Sequence, residues 1–241
     1  MKISIVVPAF NEEKLLPASL RSIKAAAKAF HSRGWETELI VCNNNSTDRT
    51  AEVAQAEGAL TVFEPVNQIA RARNAGAAAA NGDWIVFVDA DSQPSRELFA
   101  DAADAMIDGK FLGGGVTMKL DEFFLGMSFL TWLWNWTSRI RKWCAGSFIF
   151  CEASAFRAIG GFSSELFVSE ELDFSKRLGA FGKTKTKRLI ILHRHPLLTS
   201  ARKMRLYSHR DYLRLFWKFF SSQGAAAKDR DACHIWYDGR R

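Results

Sequence analysis

Two aspartates one residue apart, Asp89 and Asp91, close the apolar run Ile85–Val88 in the stretch IVFVDADSQPS. Carboxylates this close repel each other, and both lose hydration at the end of a buried strand. The spacing therefore asks for a positive group between them. An all-oxygen pair suits a hard cation such as Mg2+ or Mn2+, whose remaining positions are filled by phosphate oxygens and water. Taken alone, Asp-Xaa-Asp is weak evidence, because strand-end acids are often simply solvated. Two further polar clusters, Pro8–Glu12 and Asn43–Asn45, also follow apolar runs. A fourth, Glu170-Glu171-Leu172-Asp173, opens a helix-like segment, where the dipole favours acids.

The elements that would carry these clusters alternate. Ile3–Val7, Glu38–Cys42, Leu60–Phe63 and Trp84–Val88 are β-branched or aromatic runs of strand length. Between them Ser19–Phe30, Ser46–Gly58 and Ile69–Gly82 have helix composition, with Pro17 near one start and Gly58 and Gly82 as stops. Alternation at this spacing predicts a mostly parallel sheet covered on both faces. Ligands of such sheets bind beyond the carboxyl ends of the strands, so the first three polar clusters are expected to line one crevice. The second half is less regular. Ser147–Phe162 reads as strand, helix and Gly-Gly stop, Ser169–Gly182 as a helix and Lys187–His193 as a strand. Arg202–Phe220 is a long helix candidate. The apolar run Phe123–Trp136 is shorter than the ~20 residues a membrane-spanning helix needs.

Charge is unevenly spread. The chain carries a net charge of +7 over 241 residues, yet Lys183–Arg241 alone holds 15 Lys/Arg against 4 Asp/Glu. A basic terminal region on a mildly acidic body points to an anionic partner such as phosphate groups, nucleic acid or a membrane surface. Cys42, Cys144, Cys151 and Cys233 show no Cys-Xaa-Xaa-Cys spacing, which argues against a zinc site or a disulfide framework. KISIVVPAF, at the start, lacks the pattern of a signal peptide. The expected location is the cytoplasm.

Four separated segments, VVPAFNEE, NNNSTDRTAEVA, ARARNAGAAAANGDWIVFVDADS and GGFSSELFVSEELDFSKRL, occur in the order seen in family 2 glycosyltransferases. The chain resembles that family over residues 1–195. The resemblance implies a GT-A fold, a Rossmann-like α/β architecture whose mostly parallel mixed sheet is sandwiched by helices. It implies a transferase unit over 1–195, with a nucleotide-sugar-binding half (1–118) and an acceptor half (119–195), followed by a basic helical extension (196–241). The implied donor is a nucleotide-diphosphate sugar, a UDP-sugar foremost. Pro8, Phe10 and Glu12 correspond to the first nucleotide-contacting loop. Arg73 matches a segment suited to phosphate recognition by its planar fork of donors. Asn44 stands where the family has an aspartate that accepts from uracil; its amide oxygen can still accept, but its amino group donates. Asn45 replaces a glycine and tolerates left-handed backbone. Asp48 reads first as a helix-start residue.

On the same resemblance, Asp91 ligates Mn2+ or Mg2+, and Asp89 contacts the ribose or the metal. His193, or His195, is a candidate third ligand if neutral at the coordinating nitrogen. Arg202 and Lys203 could reach the donor diphosphate. Glu171 falls where the family has its catalytic base, and Glu170 could share that role. An inverting transfer to a hydroxyl is implied. The Gln-Xaa-Xaa-Arg-Trp signature of processive synthases does not follow, so a non-processive enzyme is expected.

The acceptor is less specified; a glycan or a lipid-linked molecule of the cell envelope is expected. Trp132, Trp134, Trp136 and Trp143 read first as core, with sugar stacking or lipid contact as the alternatives. In the tail, Leu206, Leu213, Phe216, Trp217 and Phe220 recur at helical spacing among Arg205, Arg210, Arg214 and Lys218. A helix of that kind can lie in an anionic membrane interface, which makes peripheral membrane attachment an expectation. No nucleic-acid motif accompanies the basic tail. The rival reading is a non-catalytic nucleotide- or glycan-binding module on the same fold.

Overall fold

The computed structural model describes residues 1–122, 125–144, 146–202, 206 and 225–237. Its centre is an eight-stranded sheet in the order β3-β2-β1-β4-β7-β6-β8-β5. The strands are β1 (Lys2–Ala9), β2 (Glu36–Asn43), β3 (Leu60–Phe63), β4 (Trp84–Val88), β5 (Ser92–Gln93), β6 (Phe111–Leu120), β7 (Phe148–Glu152) and β8 (Arg188–Thr199). β1 pairs in parallel with β2 and β4, and β2 with β3. β7 enters antiparallel between β4 and β6, while β6 and β8 are parallel. The sheet is therefore the mixed, mostly parallel one expected. β8 runs on to Thr199, past the boundary expected at 195.

Seven helices of six residues or more flank it among the described residues: α1 (Leu16–His31), α2 (Thr50–Ala56), α3 (Ile69–Ala78), α4 (Arg96–Ile107), α5 (Leu125–Arg141), α6 (Ala153–Ala158) and α7 (Glu170–Thr184), with a single further α-helical turn at His234–Tyr237. The buried run Ile3–Ala9 shows why the sheet needs cover on both sides. Ile3, Ile5 and Val7 face a core shared with Leu20, Phe30 and Phe99 of α1 and α4. Val6 and Phe87 face the other core, with Phe156, Phe162 and Phe174. Alternate residues of one strand thus fill two apolar layers.

β6 escapes the strand pattern in sequence because its centre is Gly113-Gly114-Gly115. Close packing explains them. A Cβ at Gly114 would lie 2.0 Å from the Ile190 carbonyl oxygen, and one at Gly115 would lie 2.9 Å from Cys144 Cα. α5 also departs from expectation at two of its tryptophans, while Trp134 and Trp143 are half-buried. Trp132 and Trp136 are more than half exposed, at 59% and 55%. The tail segment 207–224, which contains most of the helix expected at 202–220, lies outside the described residues, as does Lys203.

Candidate active site

Parallel pairing brings the carboxyl ends of β1, β2 and β4 side by side, and the polar clusters follow each of them. Pro8, Phe10, Glu12, Asn44, Asp89 and Asp91 line one small cavity of about 80 Å³. Local turn chemistry holds its rim. Asn11 and Asn45 adopt left-handed backbone, with φ of 52° and 61°, conformations asparagine accepts more readily than most residues. Asn11 Oδ1 accepts from the Thr47 N–H at 2.8 Å, and Ser46 Oγ accepts from the Asn11 N–H at 3.0 Å. Asp48 acts at a helix start as expected, accepting from the Thr50 N–H at 3.0 Å. Asn44 Nδ2 donates to the Val66 carbonyl at 2.6 Å, which fixes this buried side chain at the edge of the cavity it lines.

Arg73 occupies a different place from the one expected. It is 1% exposed. Its Nη1 donates to Glu170 at 2.6 Å, and its Nη2 donates to Asp89 at 3.1 Å and to the Gly146 carbonyl at 2.9 Å. The Phe162 ring lies under the guanidinium at 5.2 Å. These contacts engage both Nη groups, while Nε is buried without a hydrogen-bond partner among the described residues, so Arg73 braces the site from behind. It ties the first aspartate of the Asp-Ala-Asp pair to the acids of α7.

Those acids divide by burial. Glu170 is turned inward, 3% exposed, while Glu171 is half-buried. Burial and the adjacent Glu171 push the Glu170 carboxyl up to about 8 against the opposing pull of Arg73. Three carboxylates around one guanidinium leave an excess of negative charge, and retention of a proton on the most buried acid relieves it. The two acids differ in burial: Glu170 points into the protein, and Glu171 is the more exposed of the pair. Gln68 donates to the Ser164 and Leu166 carbonyls at 2.8 and 2.9 Å, pinning the loop that leads into α7. Ser169, at the head of that helix, is held at φ 62°.

Arg202 arrives from the far end of β8. Its guanidinium makes two bonds to Glu12, at 2.9 and 2.8 Å, and lies 3.7 Å from Asp91. A cationic head thus already stands beside the Asp91 carboxylate, which shows the electrostatic demand of that position. Asp89 and Asp91 fit a hard divalent cation that takes one or two carboxylates and completes its shell from phosphate and water. Among the described residues no group of three or more His, Cys, Asp or Glu is arranged to hold a metal. His193 in particular does not join the aspartates. It lines a separate cleft with Asp101 and Arg188, and its Nδ1 faces the Ile191 carbonyl at 3.4 Å. It lies in the irregular stretch of β8 between Leu192 and Leu197, where the pairing with β6 shifts register. His195 pairs with Asp101 at 2.9 Å.

Sequence reading missed the far wall of the cavity. Asn67, Ile69 and Tyr237 complete it. The Tyr237 hydroxyl donates to the Phe167 carbonyl at 2.6 Å, and Phe167 N–H donates to the Ala227 carbonyl at 2.7 Å. The described C-terminal residues therefore return to the mouth of the site, and no local pattern signals this.

The family model for glycosyl transferase family 2 matches residues 4–158. An uncharacterized glycosyltransferase of Mycobacterium bovis is 39% identical over 89 residues, which are 37% of this chain and 36% of that protein. The chain thus spans about a third of the curated relative's length. Among solved structures, Staphylococcus aureus TarS in complex with UDP-GlcNAc has a TM-score of 0.64 at 18% identity, covering 84% of this chain and 59% of that one. Glucosyl-3-phosphoglycerate synthase from Mycobacterium tuberculosis, in complex with Mn2+, UDP and phosphoglyceric acid, has a TM-score of 0.58 at 19% identity, covering 96% and 78%. At these identities the likeness is one of fold, the GT-A arrangement of a curled mixed sheet between helices.

Proposed function

The chain belongs to glycosyl transferase family 2, and from that premise we propose that it moves a sugar from a nucleotide-diphosphate donor to an acceptor hydroxyl. The observation that carries this reading is the junction at Arg73. One buried guanidinium bonds both Asp89, in the wall of the donor cavity, and Glu170, next to the candidate base Glu171. Donor and acceptor chemistry are thereby held in fixed register, which is the positioning a group transfer requires.

Each residue then has a task. Pro8, Phe10 and Asn44 form the floor for a nucleobase, with the Asn44 oxygen as acceptor. The neighbours' ligands make UDP the nucleotide of first choice. Asp91 and Asp89 hold Mn2+ or Mg2+, which would neutralise charge developing on the departing diphosphate. Arg202, released from Glu12, is within reach of the same diphosphate oxygens. Glu171 takes the proton of the acceptor hydroxyl, and a base on the face opposite the leaving group gives inversion. Glu170 supports Glu171 in position. The reaction is non-processive, and the acceptor is a glycan or lipid-linked hydroxyl presented at the inner face of a membrane. No helix among the described residues is long and apolar enough to cross one.

The test is thermal stability against UDP, GDP, TDP and CDP, each with and without Mn2+ or Mg2+. Stabilisation by one nucleotide that needs the metal, and is lost in Asp91→Asn, supports the reading. Metal-independent binding that survives Asp91→Asn would remove the metal from the proposal, and no response to any nucleotide would remove the donor site.

A further inference from the structure

α5 is folded inside out. At 3.6 residues per turn, Phe129, Trp132, Leu133, Trp136 and Ile140 fall on one arc of about 100°. All five are exposed, between 40% and 60%. The opposite side of the helix, which faces the protein, carries Asn135 and Ser138 together with the half-buried Trp134. Asn135 is clamped to β6, donating to the Met118 carbonyl and accepting from the Met118 N–H, both at 2.9 Å. Ser138 is fully buried. Of the eleven large apolar side chains that stand exposed among the described residues, six belong to this single helix. A water-facing helix has the reverse pattern, and a concentrated apolar face marks an interaction surface.

The charges around this face choose the partner. Leu125–Cys144 contains Arg139, Arg141 and Lys142 and no acid. On the helix wheel Arg139 and Arg141 flank the apolar arc on its two sides. Trp136, Arg139, Ile140 and Lys142 also line an adjoining cleft of about 800 Å³, together with Arg188 and Arg194. Acids in that cleft have partners of their own: Asp101 bonds to His195, Asp104 pairs with Arg33 and Asp108 with Lys110. Arg139, Lys142, Arg188 and Arg194 have no ion-pair partner among the described residues. A Trp/Phe/Leu stripe bordered by unpaired cations matches the boundary between acyl chains and anionic headgroups, where tryptophan rings sit and phosphates lie just above.

We propose that α5 and its flanking cations form the surface by which this protein seats on an anionic lipid bilayer. The inference deepens the membrane part of the proposed function and moves it from the basic tail to α5. It also joins seating to the site. The segment after α5 supplies the Gly146 carbonyl that Arg73 holds and the Ser147 carbonyl that accepts from the Asp89 N–H at 3.2 Å.

Full-length protein would be sedimented with phosphatidylcholine vesicles, with and without phosphatidylglycerol, and its tryptophan emission followed. Binding to the anionic vesicles with a blue shift is expected. Trp132→Ser and Trp136→Ser should each weaken it about tenfold. Arg139→Gln, Lys142→Gln and Arg194→Gln should weaken it about fivefold each, and about a hundredfold together. The exposure of these side chains leaves the fold intact, and an unchanged response to UDP and Mn2+ checks this separately from the donor-site reading. Absence of wild-type binding at low salt would overturn the proposal. So would unchanged binding in the tryptophan variants, which would return the role to residues 206–220. Self-association abolished by Trp132→Ser/Trp136→Ser, without vesicle binding, would assign the face to a second copy instead.

Discussion

Replacing Arg73 by methionine keeps most of the aliphatic stem and deletes the guanidinium. Its loss strips Glu170 and the Gly146 carbonyl of donors at 2.6 and 2.9 Å in a place water does not reach. Each charged hydrogen bond removed from a buried partner costs about 1.5–3 kcal/mol. Asp89 has a quarter of its side-chain surface exposed and can rehydrate, so its contact adds little. The total is about 3–5 kcal/mol, the range found when a buried ion pair loses one partner. For 241 residues the unfolding entropy is about 0.5 kcal/mol per kelvin, so the midpoint should fall by about 6–10 °C. Thermal and urea unfolding of Arg73→Met, Glu170→Gln and the double variant measure this. Glu170→Gln alone should be mild, because the native carboxyl already favours its neutral form. The double variant should be more stable than the sum of the single losses predicts, by about 1–2 kcal/mol, since the buried acid that Arg73 served is gone. A loss below about 1 kcal/mol in Arg73→Met, or strict additivity in the cycle, would refute the description of Arg73 as the brace between the two sites.

Stability should also depend on pH through Glu170. Its carboxyl rises from the ordinary 4.5 to about 8 on folding, so the native state binds the extra proton between these values. That contribution is whole below about pH 4.5 and is lost as pH rises through 8, at a limit of about 1.4 kcal/mol per pKa unit. Glu170→Gln should flatten the slope of urea midpoints across this window, and an unchanged slope would place the proton elsewhere. Arg202→Gln should lower apo stability by about 1.5–3 kcal/mol, because the buried Glu12 loses its paired bonds, and should weaken UDP binding about tenfold or more by calorimetry; equal affinity would confine Arg202 to its Glu12 contact. Gly114→Ala should cost about 1–3 kcal/mol in urea unfolding, because its Cβ would meet the Ile190 carbonyl oxygen at 2.0 Å; wild-type stability would show that β6 and β8 can move apart.

Much of the N-terminal half is legible in the chain because its physics is local. The apolar runs of β1, β2 and β4 and the helices between them follow from residue type and period. Parallel pairing then carries Pro8–Glu12, Asn44 and Asp89–Asp91 to one edge without further information. Asn45 announces its left-handed turn, and Asp48 its helix start. The acidic pair that opens α7 was equally plain. What the chain alone left open are the choices made by contacts distant in sequence. Whether Arg73 faces a phosphate or a buried acid depends on α7 and on Gly146, 73 residues away. Which of Glu170 and Glu171 points outward depends on that same bond. The Gly-Gly-Gly centre of β6 reads as a break until β7, β8 and Cys144 close in on it. His193 is kept from the aspartates by the register shift of β8 between Leu192 and Leu197, which depends on pairing with β6. Trp132 and Trp136 of α5 show the limit most plainly: their apolar character suggests core, yet helix rotation is fixed by Asn135 on β6, and that contact turns them outward. Period and composition state what each segment can bury, and only the packed sheet decides which side of it is buried.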